Sequence, residues 1–276
     1  MNKTWLITGT SSGLGRLMTE QLLARGDRVV ATLRQPETLH ALHGRYPQRL
    51  HLLTLDVTDS AQLRATVAAA FAWAGHIDVV VSNAGYGLFG AAEEVSDAQI
   101  ARQLATNLTG SIQLIRAVLP FLRAQGGGRI MQVSSEGGQI AYPCFSLYHA
   151  SKWGIEGFIE AVAQEVAEFG IDFILAEPGP TGTQFAAGLD QAEAMPCYEQ
   201  TAAGKMRQAL TSGAFKITGD AGKTVDAMIA CADEEKPPLR LPLGSTAFFH
   251  IRQALRERLE ALEACEQRAC STDVQR

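Results

Sequence analysis

Apolar and polar positions follow two registers along this chain, and the switch between them marks its elements. Short runs rich in Val, Ile and Leu read as strands: Thr4–Thr8, Arg28–Leu33, Leu50–Leu55, Asp78–Ser82, Arg129–Ser134 and Asp172–Ala176. Between them lie stretches with helical spacing at Leu14–Ala24, about Ser60 to Trp73, Asp97 to about Arg123, and about Tyr148 to Glu168. Strands this short, separated by helices, are repeated βαβ units, so the pattern predicts an α/β protein with a parallel sheet and helices on both faces. The unbroken Val79-Val80-Val81 suits a sheet buried on both sides.

The alternation is expected to break after Pro178. The segment Pro180–Ile217 is rich in Ala, Gly, Gln and Met and shows no clear strand. It is long for a plain loop, which predicts a substrate lid over about residues 180–217. Further on, Ile251, Leu255, Leu259 and Leu262 share one helical face, which predicts a C-terminal helix over about 247–264. That face packs on its own domain or meets another subunit, the first being the simpler reading. Residues Ser271–Arg276 are expected to fray. No break in composition divides residues 1–270 into two domains.

Composition narrows the class. Of 276 residues, 46% are hydrophobic and 19% charged, as in an ordinary globular protein. The net charge of −5 is spread without a basic stripe, so neither nucleic acid nor a membrane surface is an expected partner. Cys144, Cys197, Cys231, Cys265 and Cys270 include no CxxC pair, which argues against a zinc cluster or disulfide framework and for a reducing compartment. Met1-Asn2-Lys3 runs straight into an apolar strand, leaving no room for a signal peptide. No apolar stretch reaches the ~18 residues of a spanning helix. A soluble cytoplasmic protein is expected, and His40 and His43 read as solvated residues rather than metal ligands.

The first candidate chemistry lies between the first strand and first helix, in Thr8-Gly9-Thr10-Ser11-Ser12-Gly13-Leu14-Gly15. Glycines there allow a tight turn and close backbone approach to a pyrophosphate, while the helix N-terminus offers N–H groups and a positive dipole. The spacing is Gly-x-x-x-Gly-x-Gly, preceded by Thr. Further along stand Asp56-Val57, Asn83-Ala84-Gly85, Asn107, Ser135, Tyr148-His149-Ala150-Ser151-Lys152, Pro178-Gly179 and Thr183. In this order and spacing, across nearly the whole chain, the motifs resemble the short-chain dehydrogenase/reductase family. The resemblance implies a single, doubly wound Rossmann-type domain with its ligand crevice at the carboxyl ends of the strands. It also implies a nicotinamide cofactor and, at this chain length, a homodimer or homotetramer.

Tyr148 and Lys152, four apart at a helix start, project from one face. A phenol with a pKa near ~10 is a poor base at neutral pH. A neighbouring ammonium is expected to lower it, letting Tyr148 exchange a proton with an alcohol or carbonyl oxygen. Ser134 and Ser135 both stand where a hydroxyl could meet that oxygen. The family's thirteen-residue separation from the tyrosine selects Ser135. By the same resemblance Asn107 holds a water linking Lys152 to solvent.

An acidic residue ending the second strand would select NAD and repel the 2′-phosphate of NADP. Here Leu33 is followed by Arg34, whose guanidinium can pair with that phosphate, so NADP(H) is expected, with hydroxyl contacts from Thr10 and Ser11. Ser12 stands where some NADP-preferring relatives carry a basic residue. Asp56 is assigned to the adenine amino group with the Val57 backbone beside it, and Asn83 to the turn beneath the adenine ribose. Pro178, Gly179 and Thr183 resemble the segment that meets the carboxamide.

Tyr142, Pro143, Cys144, Phe145, Phe185, Met195 and Tyr198 are candidates for a mostly apolar substrate wall, suited to a medium or bulky ketone, aldehyde or alcohol. His149 should point off the catalytic face. Val30-Ala31-Thr32-Leu33-Arg34 and Leu241-Pro242-Leu243-Gly244-Ser245 look like a 17β-hydroxysteroid-dehydrogenase-like bacterial subgroup. Two other readings remain: a redox-sensing module that binds NADP(H) without turnover, and a sugar-nucleotide epimerase or dehydratase.

Overall fold

A computed structural model of the chain describes residues 2–274, so Met1 and the last two residues of the expected frayed end lie outside the described residues. In chain order the elements begin β1 (Thr4–Thr8), α1 (Gly13–Arg25), β2 (Arg28–Leu33), α2 (His40–Arg45), β3 (Leu50–Thr54), α3 (Ser60–Ala74) and β4 (Val79–Ser82). Next come β5 (Leu88–Phe89), α4 (Asp97–Leu104), α5 (Ser111–Ala124), β6 (Gly128–Val133), α6 (Ser146–Val166) and β7 (Ile171–Pro178). The chain continues through β8 (Asp190–Gln191), α7 (Ala202–Thr211), α8 (Ala221–Asp233), β9 (Arg240–Leu243), α9 (Ser245–Glu263) and α10 (Glu266–Cys270).

Seven strands form one parallel sheet in the order β3-β2-β1-β4-β6-β7-β9. Alternate side chains of each strand enter opposite layers, as the pleat requires. Trp5, Ile7, Val79 and Val81 pack with Met18 and Leu22 of α1 and Val225 and Met228 of α8. Leu6 and Val80 pack on the other side with Leu63 of α3, Leu114 and Val118 of α5, and Ile155 and Ile159 of α6. The expected doubly wound sheet, helices on both faces of a single domain, is therefore present. The strand order reverses between β1 and β4, where a doubly wound sheet opens a crevice at its carboxyl edge.

The structure departs from the sequence pattern in four places. The βαβ alternation does not stop at Pro178, because α8 leads into β9, which pairs with β7. That strand is short and contains Pro242, which edge strands tolerate and which hides them from a pattern search. The 180–217 segment is not strandless, since Leu88 and Phe89 pair with Asp190 and Gln191, and α7 follows. The helix expected from Asp97 to about Arg123 is interrupted by a π-helical turn at Ala105–Gly110. Finally, α9 buries Ala247 and Ile251 but leaves Leu255, Leu259 and Leu262 exposed, so the expected face packs on its own domain only at its start.

Candidate active site

The turn between β1 and α1 is built by side chains as much as by glycines. Thr8 Oγ1 accepts from the backbone N–H groups of Asn83 and Ala84 at 3.0 and 3.1 Å. The Asn83 amide donates to the carbonyls of Thr8 and Gly9 at 2.8 and 3.0 Å. A side chain at Gly15 would put its Cβ 2.4 Å from Asn83 Nδ2, so the helix can approach this clamp only with glycine there. Gly13 has φ +58° and open space where a Cβ would stand. Asn83 thus braces the turn, and Gly15 serves packing rather than contact.

A cleft of about 1220 Å³ runs along the carboxyl edge of the sheet from this turn. Gly9, Ser11, Ser12, Gly13, Leu14, Arg34, Asp56, Val57, Asn83, Ala84 and Gly85 line one end, and Ser135, Tyr148, Lys152, Pro178, Gly179 and Thr183 the other. Three expected site residues do not line it. Thr10 is buried and its hydroxyl donates to Thr32 O at 3.3 Å, so it has no contact to offer a phosphate. Gly15 sits behind Asn83. Asn107 is buried in the π-helical turn, where Oδ1 accepts from Tyr86 N at 3.1 Å and Nδ2 donates to Tyr86 O at 2.8 Å.

Arg34 is exposed at the cleft edge and makes no hydrogen bond or ion pair among the described residues. Asp56 Oδ1 accepts from the Thr58 hydroxyl and N–H at 2.7 and 2.9 Å, and these bonds, with the Arg34 charge nearby, hold its carboxyl below the usual range.

At the other end, β6 and α6 bring the reactive side chains together. Ser135 stands two residues beyond β6 in extended conformation, and its Oγ accepts from Gly137 N at 3.1 Å. Tyr148 and Lys152 lie one turn apart on α6, with Nζ 5.5 Å from the phenol ring centre. Lys152 Nζ donates to Val133 O at 2.9 Å, which ties the helix to the strand carrying Ser135. Burial pushes the Tyr148 phenol up to about 12, opposed by the Ser135 hydroxyl and reinforced by Glu136 and Glu156. Burial also draws the Lys152 ammonium down to about 8, against the pull of Glu156. The lowering of the phenol expected from Lys152 is not among these causes: desolvation of the phenolate leads, and the Ser135 hydroxyl is the group that opposes it.

The substrate end is apolar. Phe185 packs on Tyr148 with ring centres 5.5 Å apart, and Tyr142, Phe145, Leu189, Leu210 and Phe215 continue the wall. Pro143, Cys144, Met195 and Tyr198 do not line the cleft. Cys144 is buried in a strained backbone conformation (φ +67°), its thiol donating to Ala203 O, and the Tyr198 hydroxyl donates to Glu93. His149 also lines the cleft, with both ring nitrogens engaged, Nε2 accepting from Tyr142 N at 2.9 Å and Nδ1 facing Gly137 O at 2.9 Å.

Sequence reasoning missed Tyr86, Arg102 and Glu136 on the cleft wall and the buried carboxylates Glu156 and Glu177 beside it. Acidic residues at apolar helix and strand positions were the available signal.

A glycine turn, a cleft at the switch point and a serine–tyrosine–lysine group define a dinucleotide-dependent oxidoreductase. A family model described as short chain dehydrogenase matches residues 3–194, and the chain belongs to that family, whose members bind a nicotinamide cofactor. It is similar to oxidoreductase BOA17 of Botryotinia fuckeliana, 37% identical over 255 residues that cover 92% of this chain and 93% of that protein. A 3-ketodihydrosphingosine reductase of Bacteroides thetaiotaomicron is 36% identical over 180 residues, 65% of this chain and 64% of that one. The solved structure of a short-chain dehydrogenase from Streptomyces avermitilis superposes with a TM-score of 0.91 at 36% identity, covering 99% and 98% of the two chains.

Proposed function

We propose that this protein is an NADP(H)-dependent oxidoreductase that interconverts a carbonyl and an alcohol on a medium or bulky apolar substrate. The observation that carries the reading is the convergence of Ser135, Tyr148 and Lys152 on one end of a cleft whose other end is the glycine turn. The cleft exceeds the roughly 300–1,000 Å³ of a typical small-ligand pocket, so a dinucleotide and a second molecule fit together. The residues present suit the dinucleotide: the turn and α1 would hold its pyrophosphate, Asp56 its adenine, Arg34 a 2′-phosphate, and Pro178, Gly179 and Thr183 its carboxamide. When bound, the nicotinamide supplies or receives the hydride.

In reduction, the Tyr148 hydroxyl gives its proton to the carbonyl oxygen, and the Ser135 hydroxyl donates a hydrogen bond to the same oxygen. In oxidation Tyr148 takes the alcohol proton. Lys152, held through Val133 O, is the cation beside that exchange, and Asn107 is assigned to the water-linked path from Lys152 to solvent. With the phenol pushed up to about 12, Tyr148 is protonated at neutral pH, the form that reduction draws on. The apolar wall, with the likeness to a 3-ketodihydrosphingosine reductase, supports a lipophilic ketone.

The test is Tyr148→Phe, assayed by NADPH absorbance against a panel of ketones and aldehydes. Turnover should fall at least about a thousandfold while NADPH affinity stays within a few-fold; equal loss of both would reassign Tyr148 to binding. We further assign the chain to the cytoplasm as a homodimer or homotetramer. No helix among the described residues is long and apolar enough to cross a membrane, and sedimentation velocity will give the assembly state.

A further inference from the structure

Behind the cleft lies a buried charged cluster that the proposed chemistry does not use. Glu156 stands one turn beyond Lys152 on α6, so Tyr148, Lys152 and Glu156 follow one another along a single helical face. Its carboxylate is almost wholly buried and both oxygens are engaged. Ser134 Oγ donates to Oε1 at 2.5 Å, and Arg240 Nη1 donates to Oε2 at 2.6 Å. The same Arg240 nitrogen donates to Glu177 Oε1 at 2.6 Å, and Gln139 Nε2 donates to Glu177 Oε2 at 2.7 Å. Glu156 also lies under the turn that follows Ser135, so close that a Cβ at Gly138 would stand 1.8 Å from Oε1.

These contacts join three elements that must keep register for hydride and proton to move together. Ser134 directly follows β6 and precedes Ser135, Glu156 belongs to the helix carrying Tyr148 and Lys152, and Glu177 precedes Pro178 and Gly179 at the end of β7. We propose that Glu156 is a positioning residue: clasped by Ser134 and Arg240, it fixes the strand end bearing Ser135 against the helix face bearing Tyr148 and Lys152. The inference rests on the reading of Tyr148 as acid/base. It gives Ser134 a role of its own, as the hydroxyl that anchors rather than the one that meets substrate. A displacement of about 1 Å at a reacting centre can cost about a hundredfold in rate, which is the scale on which such an anchor acts.

Glu156 also bears on the charge of Lys152. Arg240 from β9, Glu177 from β7, Ser134 just after β6, and Tyr148 and Lys152 from its own helix act on it, and Glu160 shares Arg240 with it. Among these, its negative charge opposes the loss of the Lys152 proton that burial favours.

The experiment compares full-length wild type with Ser134→Ala and Glu156→Gln. Three readouts are taken: hydrogen–deuterium exchange over residues 134–142, NADPH affinity by fluorescence titration, and the pH profile of NADPH oxidation with 2-decanone, acetophenone or decanal. In both variants exchange at the 136–140 amides should quicken about tenfold, with kcat down about ten- to hundredfold and NADPH Kd within about threefold. In Glu156→Gln the alkaline limb of kcat should also move to lower pH by about one unit, whereas Ser134→Ala leaves it in place. Unchanged exchange at 136–140 in Ser134→Ala would overturn the proposal, and that arm needs neither a substrate nor a folded Glu156→Gln. A rate loss in Glu156→Gln that is equal at every pH would reduce the residue to packing. Tyr148→Phe is run alongside: if it retains turnover, the acid/base reading fails, and the exchange arm still judges the anchor.

Discussion

Burial moves the Tyr148 phenol and the Lys152 ammonium in opposite senses, because the protonated form is neutral in one and charged in the other. With the phenol near 12 and the ammonium near 8, the group that changes charge across the working range is Lys152. Carbonyl reduction should therefore hold steady to about pH 8 and then decline by about tenfold per unit as Lys152 loses its proton, which a kcat profile with NADPH will show. Arg34 has no partner among the described residues and faces the cleft end with the glycine turn. Arg34→Asp should lower the NADPH:NADH ratio of kcat/KM by at least about tenfold, since a charge-assisted pair is worth ~1.5–3 kcal/mol. An unchanged ratio would remove the argument for NADP(H). The positions of Tyr148, Lys152, Ser135 and Arg34 were legible because motif spacing within one element, or between adjacent ones, survives in the bare chain. The environment of each was not: Thr10 was expected to offer a hydroxyl that the fold has already committed to Thr32.

At the glycine turn, an added methyl at Gly15 would stand 2.6 Å from Gly9 O as well as against the Asn83 amide, so the clamp or the helix must shift. Gly15→Ala is expected to weaken NADPH binding by at least about tenfold while the cooperative thermal transition persists; fluorescence titration and calorimetry separate the two. The 180–217 segment is fastened at several places, among them β8, which pairs with β5, and Arg207 on α7, which donates to Glu94 at 2.7 Å. The Glu94 carboxyl, held also by the N–H groups of Ala91 and Met195, sits below the usual carboxylate range despite the cost of its burial. Arg207→Ala should loosen α7, raising the rate of limited proteolysis within residues 180–217 and the KM for apolar ketones, with kcat less affected. Helical periodicity marked α1, α3 and α6 to within a few residues. It missed the fastening of the 180–217 segment, because a two-residue strand has no period to detect.

Across the whole molecule, the Glu156–Arg240–Glu177 cluster joins the sheet edge to the catalytic helix, and it should leave a signature in stability. Burial and the neighbouring Glu156 push Glu177 up to about 7 from an ordinary 4.5, in spite of Arg240 and Gln139. A carboxyl raised on folding contributes stability that is complete below its unfolded pKa and is lost as pH rises through the folded one. Wild-type Tm should therefore fall relative to Glu177→Gln between about pH 5 and pH 8, measured by scanning calorimetry; a constant difference would mean that Glu177 does not titrate there. The sequence by itself determined the strands β1, β2, β3, β4, β6 and β7 with helices between them, the parallel sheet and the glycine turn, and through its family resemblance it paired Ser135 with Tyr148 and Lys152. The strands, the sheet and the turn are set by periodicity and spacing over short lengths of chain. Only the tertiary structure decided which hydroxyls are free, which carboxylates are buried and where the last strand lies. Those depend on contacts such as Arg240 with Glu156, 84 residues apart, which local pattern does not encode and which packing alone brings within hydrogen-bond reach.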